Sequence, residues 1–598
     1  MDLLDYYRDN LNYLRSLSSE FASEFPKIAK RLLLSEFDCQ DPYIERLLEG
    51  TAFLSAKVEK KLDEGYYPFL ESVLNSIAPD SLYPVPSGAV LEVTLNSVDE
   101  NNSKNGMSLE AGTVFETVIP NINSPCRFSC AEDTPLSPFT LALAEYLYDV
   151  SGFGIKTARA ESCLHIQFSA SGGSLSLGDN IQIFLGTSEA DASLLLRLLS
   201  HDTVGVYVKK SGGEEYEALS GVSFSVPMLS GEKVFTNQVK TNSRGLRILQ
   251  NFLTYPDFFK FFSILGLGTA AGNTGTAADL VIVFKRREAA LKANIKTSSV
   301  KLNCVPVLNV FSRRSDRVTI EKDAYEFHII PDRTAMRDYE VAAIKNIDFY
   351  DEKNVLVFNA VNFYDESGAS DKKRRAFFSV KRRKKLVSRH SNDRSTYSGT
   401  EVFVSFSPLM EDAYQFAADM LVTNRDLPLL LQSRAEFSSP STMIERAAFL
   451  TTPTRPNYPL ADQGNGADFA RLSHIVLNLS ALLWQEGERP LELLRNMLRS
   501  YPVRPVEETE RMINGITGLS SETDTFRFIR KGAVFYEWGW RLHLVLDESA
   551  YAGMGWYLFA LLIAEILKSF TPINTFLEIH FDTLQSGNIA VWKTSEIQ

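Results

Sequence analysis

The stretch APDSLYPVPSGAV, residues 78–90, divides the chain into two kinds of sequence. Pro79, Pro84 and Pro86 cannot continue a helix, and each biases its predecessor toward an extended backbone. Before the stretch, Leu3, Leu4, Tyr7, Leu11, Leu14, Leu17, Phe21 and Phe25 recur every three to four positions, which marks one apolar helical face that Pro26 interrupts. After it, short runs such as AVLEVTL, LHIQFSA and NIQIFL read as strands, with Gly, Asn and Ser between them. At 598 residues the chain is too long for one hydrophobic core. The expectation is an α+β multidomain protein. It has an N-terminal helical region at 1–85 and a β-rich domain with helical insertions at 86–299. A second β-rich domain with a basic hairpin follows at 300–407, and a mixed α/β C-terminal domain at 408–598. The β-rich middle domains are expected to be antiparallel.

Composition narrows the function classes. A net charge of −12 argues against a protein that coats nucleic acid, because phosphate neutralisation dominates such binding. Five scattered cysteines, an odd and sparse set, argue against a disulfide scaffold and fit a reducing compartment. Cys126 and Cys130 enclose RFS, but no second Cys/His pair stands at ligand spacing, so they read as ordinary strand cysteines. The beginning, MDLLDYYRDN, lacks the basic and apolar regions of a secretory signal. The most apolar run, GMGWYLFALLIAEILKSF at 553–570, is broken by Glu565 and reads as a buried helix. A cytoplasmic protein is expected.

Local motifs give catalysis no support. GLGTAA at 266–271 matches a dinucleotide fingerprint, but the following GNTGTAAD makes a poor helix and no βαβ spacing follows, so a mobile loop is expected. None of the seven histidines pairs with Glu or Cys at metal spacing, and His165, His328, His543 and His580 sit in alternating apolar stretches that suit strands. There is no G-x-S-x-G elbow and no phosphate-binding P-loop. No catalytic residue, cofactor or metal ligand is therefore assigned. VTNRDLP at 422–428 is a compact polar turn, either a buried structural element or a contact loop.

The basic run DKKRRAFFSVKRRKKLVSRH at 371–390 admits two readings. Phe377 and Phe378 between two cationic clusters would suit base stacking, the alternative function of a nucleic-acid-binding protein. The other reading is a β-hairpin with a solvated basic face, or a dock for an acidic partner, which a short basic block in an acidic protein favours, with Lys381, Arg382, Arg383, Lys384 and Lys385 as candidate contacts.

DPYIERLLEGTAFLSAKVEKKLDEGY, 41–66, reads as one helix with Asp41 as N-cap, Pro42 at the first position and Gly65 at the C-cap. Ile44, Leu47, Leu48, Thr51, Leu54, Ser55, Val58 and Leu62 form one stripe. The carboxylates lie mostly off the stripe and have no geometry for paired acid–base chemistry. Phe53 falls opposite the stripe beside Gly50 and Ala56, and a helix-interior glycine costs about 1 kcal/mol relative to alanine. The expectation is a helix gripped on two sides. Leu47, Leu54 and Val58 meet its own N-terminal domain, and Gly50 and Phe53 meet another domain or subunit.

Several stretches in order resemble a known family. They include YYRDNLNYLR, DPYIERLLEGTAFLSAKVEKKLDE, SLYPVPS, FLTYPDFFKFF, VPVLNVF, VTNRDLPLLL, TTPTRPNYP, LSHIVLNLSALL and GWYLFALLIAEILKSFTPINTFLEI. Together they are similar to the TssF family, also called VasA or ImpG, of type VI secretion baseplate subunits. The resemblance implies a non-enzymatic structural protein like a wedge component of contractile-phage baseplates. Its implied partners are a TssG-like subunit, a second copy of itself, and TssK-, TssE- and VgrG-like proteins, with no small-molecule substrate and no nucleic acid. It also implies a cytoplasmic place at the inner-membrane-docked baseplate of a Gram-negative bacterium.

Overall fold

A computed structural model of the protein describes residues 3–31, 41–77, 79–96, 107–155, 157, 159–170, 175, 177–213, 215–230, 244–272, 276–321, 323–364, 376–384, 397, 399–407, 413–439, 441–458, 489–499, 506–530, 533–572 and 575–593. The chain divides into two compact units, with the break between Leu82 and Tyr83, inside the proline-rich stretch. The N-terminal unit holds helices α1 (Leu3–Glu24), α2 (Pro26–Arg31) and α3 (Pro42–Ile77). Asp41 caps α3 as expected, its side chain accepting from the Tyr43 N–H at 2.9 Å. The helix does not stop at Gly65. It runs on to Ile77, because apolar residues continue at helical spacing through Phe69, Val73 and Leu74, and Leu74 is buried.

The second unit is mostly antiparallel sheet, so the expected fold class holds. A six-stranded sheet runs Glu436–Phe437, Ile444–Phe449, Gly88–Leu95, Cys304–Leu308, Cys126–Cys130, Val114–Thr117. Its strands come from three of the segments marked out in the sequence. Its core includes Phe115 and packs Phe128, Phe437 and Phe449 edge to face. Gly88 is required where it stands, since a Cβ there would lie 2.6 Å from the Tyr255 ring, whose hydroxyl donates to the Pro86 carbonyl at 2.7 Å.

An eight-stranded sheet spans the region from Phe311–Arg314 to Gln415–Thr423, around a core of Phe327, Phe349, Phe358, Phe378 and Phe416. Within it Ala376–Lys384 lies antiparallel to Thr400–Ser407 and parallel to Leu356–Asn362. Five- and four-stranded sheets are built from residues between Phe139 and Leu302. The final sheet has the order Ile516–Arg530, Ala533–Leu546, Phe576–Thr583, Gly587–Lys593, with the second and third strands parallel. The apolar run at 553–570 forms the buried helix Trp556–Ser569. Among the described residues no helix is long and apolar enough to cross a membrane.

Candidate partner interface

Helix α3 is where the sequence places its sharpest expectation, and the structure reorders its faces. Ala52 and Ala56 are completely buried, on the side where α3 packs along α1. Asn10 reaches across to Glu59 at 2.6 Å, and Arg15 pairs with Glu45. At about 100° per residue, positions 45, 48, 52, 56 and 59 share this face. Leu47, Leu54 and Val58, expected to meet the N-terminal domain, face outward instead: they are 69%, 65% and 61% exposed, and Leu62 is exposed with them. The physical reason is backbone proximity. Two alanines let α1 and α3 approach closely, whereas a row of leucines would hold them apart.

Phe53 stands on the opposite flank, 44% exposed, with the Lys57 ammonium 5.6 Å from its ring centroid. Gly50 is exposed, and a Cβ built there meets nothing within 4 Å, so among the described residues the close approach expected at this glycine is not made. The hairpin has a second apolar surface, an open groove of about 380 Å³ lined by Leu14, Leu17, Phe21 and Leu48. Among its described residues the N-terminal unit therefore buries few large apolar side chains and presents many outward.

The described part of the basic run, Ala376–Lys384, is a strand of the eight-stranded sheet. Strand alternation turns Ala376, Phe378 and Val380 into the core and Phe377, Lys381 and Arg383 outward. Arg382 departs from the expected partner contact. It points inward, is buried, donates to the Val341 carbonyl at 2.8 Å and to that of Ala342, and lies over the Tyr83 ring. Lys381 and Arg383 both clasp Glu326, the former at 3.2 Å, and Arg383 stacks on Phe403 at 4.5 Å. Burial alone would push the Glu326 carboxyl up, but the two cations outweigh it and hold it below its ordinary range. Phe378 is a core residue and unavailable for stacking on a base. Lys384 ends the strand, while Lys385 and the first cationic cluster lie outside the described residues.

GLGTAA is no mobile loop. Gly266, at φ +77°, turns the chain into the short helix Leu267–Ala271, whose Leu267 and Ala271 are buried. Asp179 accepts from the N–H and hydroxyl of Thr269 at 2.6 and 2.7 Å, so a carboxylate of the chain itself takes the position a phosphate would need. The VTNRDLP turn proves to be a structural element: Asn424, Arg425, Asp426 and Leu427 are all buried. Cys126 and Cys130 are buried strand residues, and desolvation pushes both thiols up, Cys130 to about 12. His543 and His580 stack across neighbouring strands at 4.8 Å. Among the described residues no cluster of three or more His, Cys, Asp or Glu could hold a metal ion.

One feature escaped the sequence reading. Val534, Tyr536 and Trp538, in a strand assigned only as such, stand exposed on a ribbon that outruns its sheet. The alternation in VFYEWGW carried the signal, since it continues the inward-facing series of Trp540, Leu542 and Leu544.

The chain is 30% identical to "Type VI secretion system component TssF1" of Pseudomonas aeruginosa strain PAO1, over 99% of this chain and 98% of that protein. Its fold matches a chain in a cryo-electron microscopy structure described as the type VI secretion system TssK-TssF-TssG baseplate subcomplex. The TM-score is 0.71 at 20% identity, covering 93% of this chain and 99% of that one. The profile of the family described as "Type VI secretion system, TssF" matches residues 1–597, and the chain belongs to that family.

Proposed function

We propose that the chain is a non-enzymatic wedge subunit of a type VI secretion baseplate, held in its assembly through the N-terminal helical hairpin. The carrying observation is the outward stripe of Leu47, Leu54, Val58 and Leu62 on α3. Burying an aliphatic side chain of this size is worth about 1.5–3 kcal/mol, so four of them left in water are a substantial unmet driving force for association. Phe53 on the other flank supplies a separate contact, and the groove beside Leu14 and Leu48 has the apolar lining that a further helix would fill.

The fold likeness to a chain of a TssK-TssF-TssG baseplate subcomplex supports TssK- and TssG-type subunits as partners. A second copy and TssE- and VgrG-like proteins complete the expected set. The assembly would stand in the cytoplasm against the inner membrane of a Gram-negative bacterium. Lys381 and Arg383 are the outward cations of the basic strand and the residues there still open to a partner. Native mass spectrometry of the full chain, alone and mixed with the TssG- and TssK-type subunits of its own secretion cluster, tests the reading. Discrete complexes of fixed stoichiometry are expected. A chain that ignores both subunits would overturn it.

A further inference from the structure

The final sheet contains a hairpin longer than the sheet it belongs to. Ile516–Arg530 and Ala533–Leu546 pair along their whole length, from Ile516 opposite Leu546 to Arg530 opposite Ala533. The next strand, Phe576–Thr583, accompanies the second of them only from Gly539 to Leu546. Gly539 marks the limit: a Cβ there would lie 2.1 Å from the Phe576 carbonyl oxygen, so only glycine lets the crossing chain pass. Beyond it, among the described residues, the hairpin is a two-stranded ribbon from Thr525 opposite Trp538 outward, with six residue pairs at about 3.4 Å each, or roughly 20 Å. A free ribbon of this kind is marginal in water.

The ribbon keeps the pattern of a buried sheet after the core has ended. Trp540, Leu542, Leu544 and Leu546 face the core. The same series continues outward as Trp538, Tyr536 and Val534, which are 44%, 70% and 45% exposed. Trp538 rests edge-on against Trp540 at 5.2 Å. Across the ribbon, Thr525 stands opposite Trp538 and Arg527 opposite Tyr536, both exposed. The carboxylates of Asp524 and Glu537 alternate to the other face, where Asp524 pairs with Arg541 at 2.7 Å. Among the described residues, the aromatic face thus carries one charge, a guanidinium, with no carboxylate paired to it. Trp, Tyr and Arg are the side chains that dominate binding hot spots.

We infer that this ribbon is a docking arm whose Val534, Tyr536 and Trp538 face enters an apolar cleft, rimmed by carboxylate, on another subunit of the assembly. Charge selects that occupant over a second copy. Two arms stacked about a twofold axis would bring Arg527 toward its own counterpart, and opposed like charges are destabilising. A carboxylate beside an apolar cleft satisfies both the guanidinium and the rings.

The inference rests on the baseplate reading, and its test separates the two. Full-length wild type, Arg527→Glu, Tyr536→Ser and the helix variant Leu54→Asp are titrated with the TssG- and TssK-type subunits of the same cluster, with circular dichroism melts as the folding control. Arg527→Glu and Tyr536→Ser should melt like wild type, weaken binding to one of the two subunits at least tenfold, and leave self-association unchanged. Wild-type affinity of both arm variants for both subunits, while Leu54→Asp loses affinity, would overturn the arm alone. Altered self-association with subunit binding intact would overturn it in favour of a second copy. A wild-type chain that binds neither subunit would overturn the baseplate reading and the arm with it.

Discussion

Asn309 and Asn424 exchange hydrogen bonds inside the fold: the Asn309 amide donates to the Asn424 side-chain oxygen at 3.0 Å, and the Asn424 backbone N–H donates to the Asn309 side-chain oxygen at 2.8 Å. Asn424 also accepts from the Arg127 N–H and donates to the Pro125 carbonyl. The pair ties the six-stranded sheet to the turn that leaves the eight-stranded one. Asn424→Ala strands several buried polar groups at about 1–3 kcal/mol each. A fall in melting temperature of several degrees is expected, and an unchanged melt would show that water replaces the amide.

Ala52 and Ala56 set the spacing of α1 and α3. Ala52→Leu overfills that contact, at about 1–3 kcal/mol. The isolated chain should lose helicity at lower temperature than wild type, while Leu54→Asp, at an exposed position, should leave the melt within experimental scatter. Equal effects of the two changes would mean that the faces of α3 are wrongly assigned.

Arg382 and its neighbours should separate cleanly. Arg382→Ala removes a buried guanidinium and leaves the Val341 and Ala342 carbonyls without their donor, a loss of about 2–3 kcal/mol. Lys381→Ala or Arg383→Ala breaks a half-exposed contact to Glu326 and should cost less than about 1 kcal/mol. Chemical denaturation of the three variants checks the order.

Glu132 links stability to pH. Burial, with a smaller push from Asp133, raises its carboxyl to about 7 against the hydrogen bond from Gln182. The unfolded chain releases this proton near the ordinary value of 4.5, while the folded chain holds it to about 7. Between those values the folded state binds more protons, so this group's contribution to stability falls as pH rises and levels off above 7. The total is about 3 kcal/mol at most. Glu132→Gln should gain stability relative to wild type between pH 5 and pH 8. The same melting difference at both values would refute the assignment.

Much of this was legible in the sequence. The proline stretch does separate helices from sheet, because proline acts through local sterics that need no tertiary context. Strand parity in AFFSVKRR already places Arg382 on the face of Phe378 and Val380, so its burial was open to reading. The faces of α3 were not. A helical wheel locates an apolar stripe without saying whether it meets its own chain or another, and the alanines that do meet α1 give a weak apolar signal. Nor does any local pattern reveal that Gly88–Leu95 pairs with Ile444–Phe449, which lies more than three hundred residues away. The ribbon at Tyr536 was hidden for a related reason: alternation predicts a strand equally well where the sheet continues and where it has ended.

The proposed assembly runs through the exposed face of α3. The most direct measurement is the mass, by light scattering at fixed concentration, of the full-length Leu54→Asp/Val58→Asp variant mixed with the TssG- and TssK-type subunits. The variant should melt like the wild-type chain alone and stay at its own mass, where wild type forms a discrete complex. A variant complex of wild-type mass would overturn the proposed role of this face.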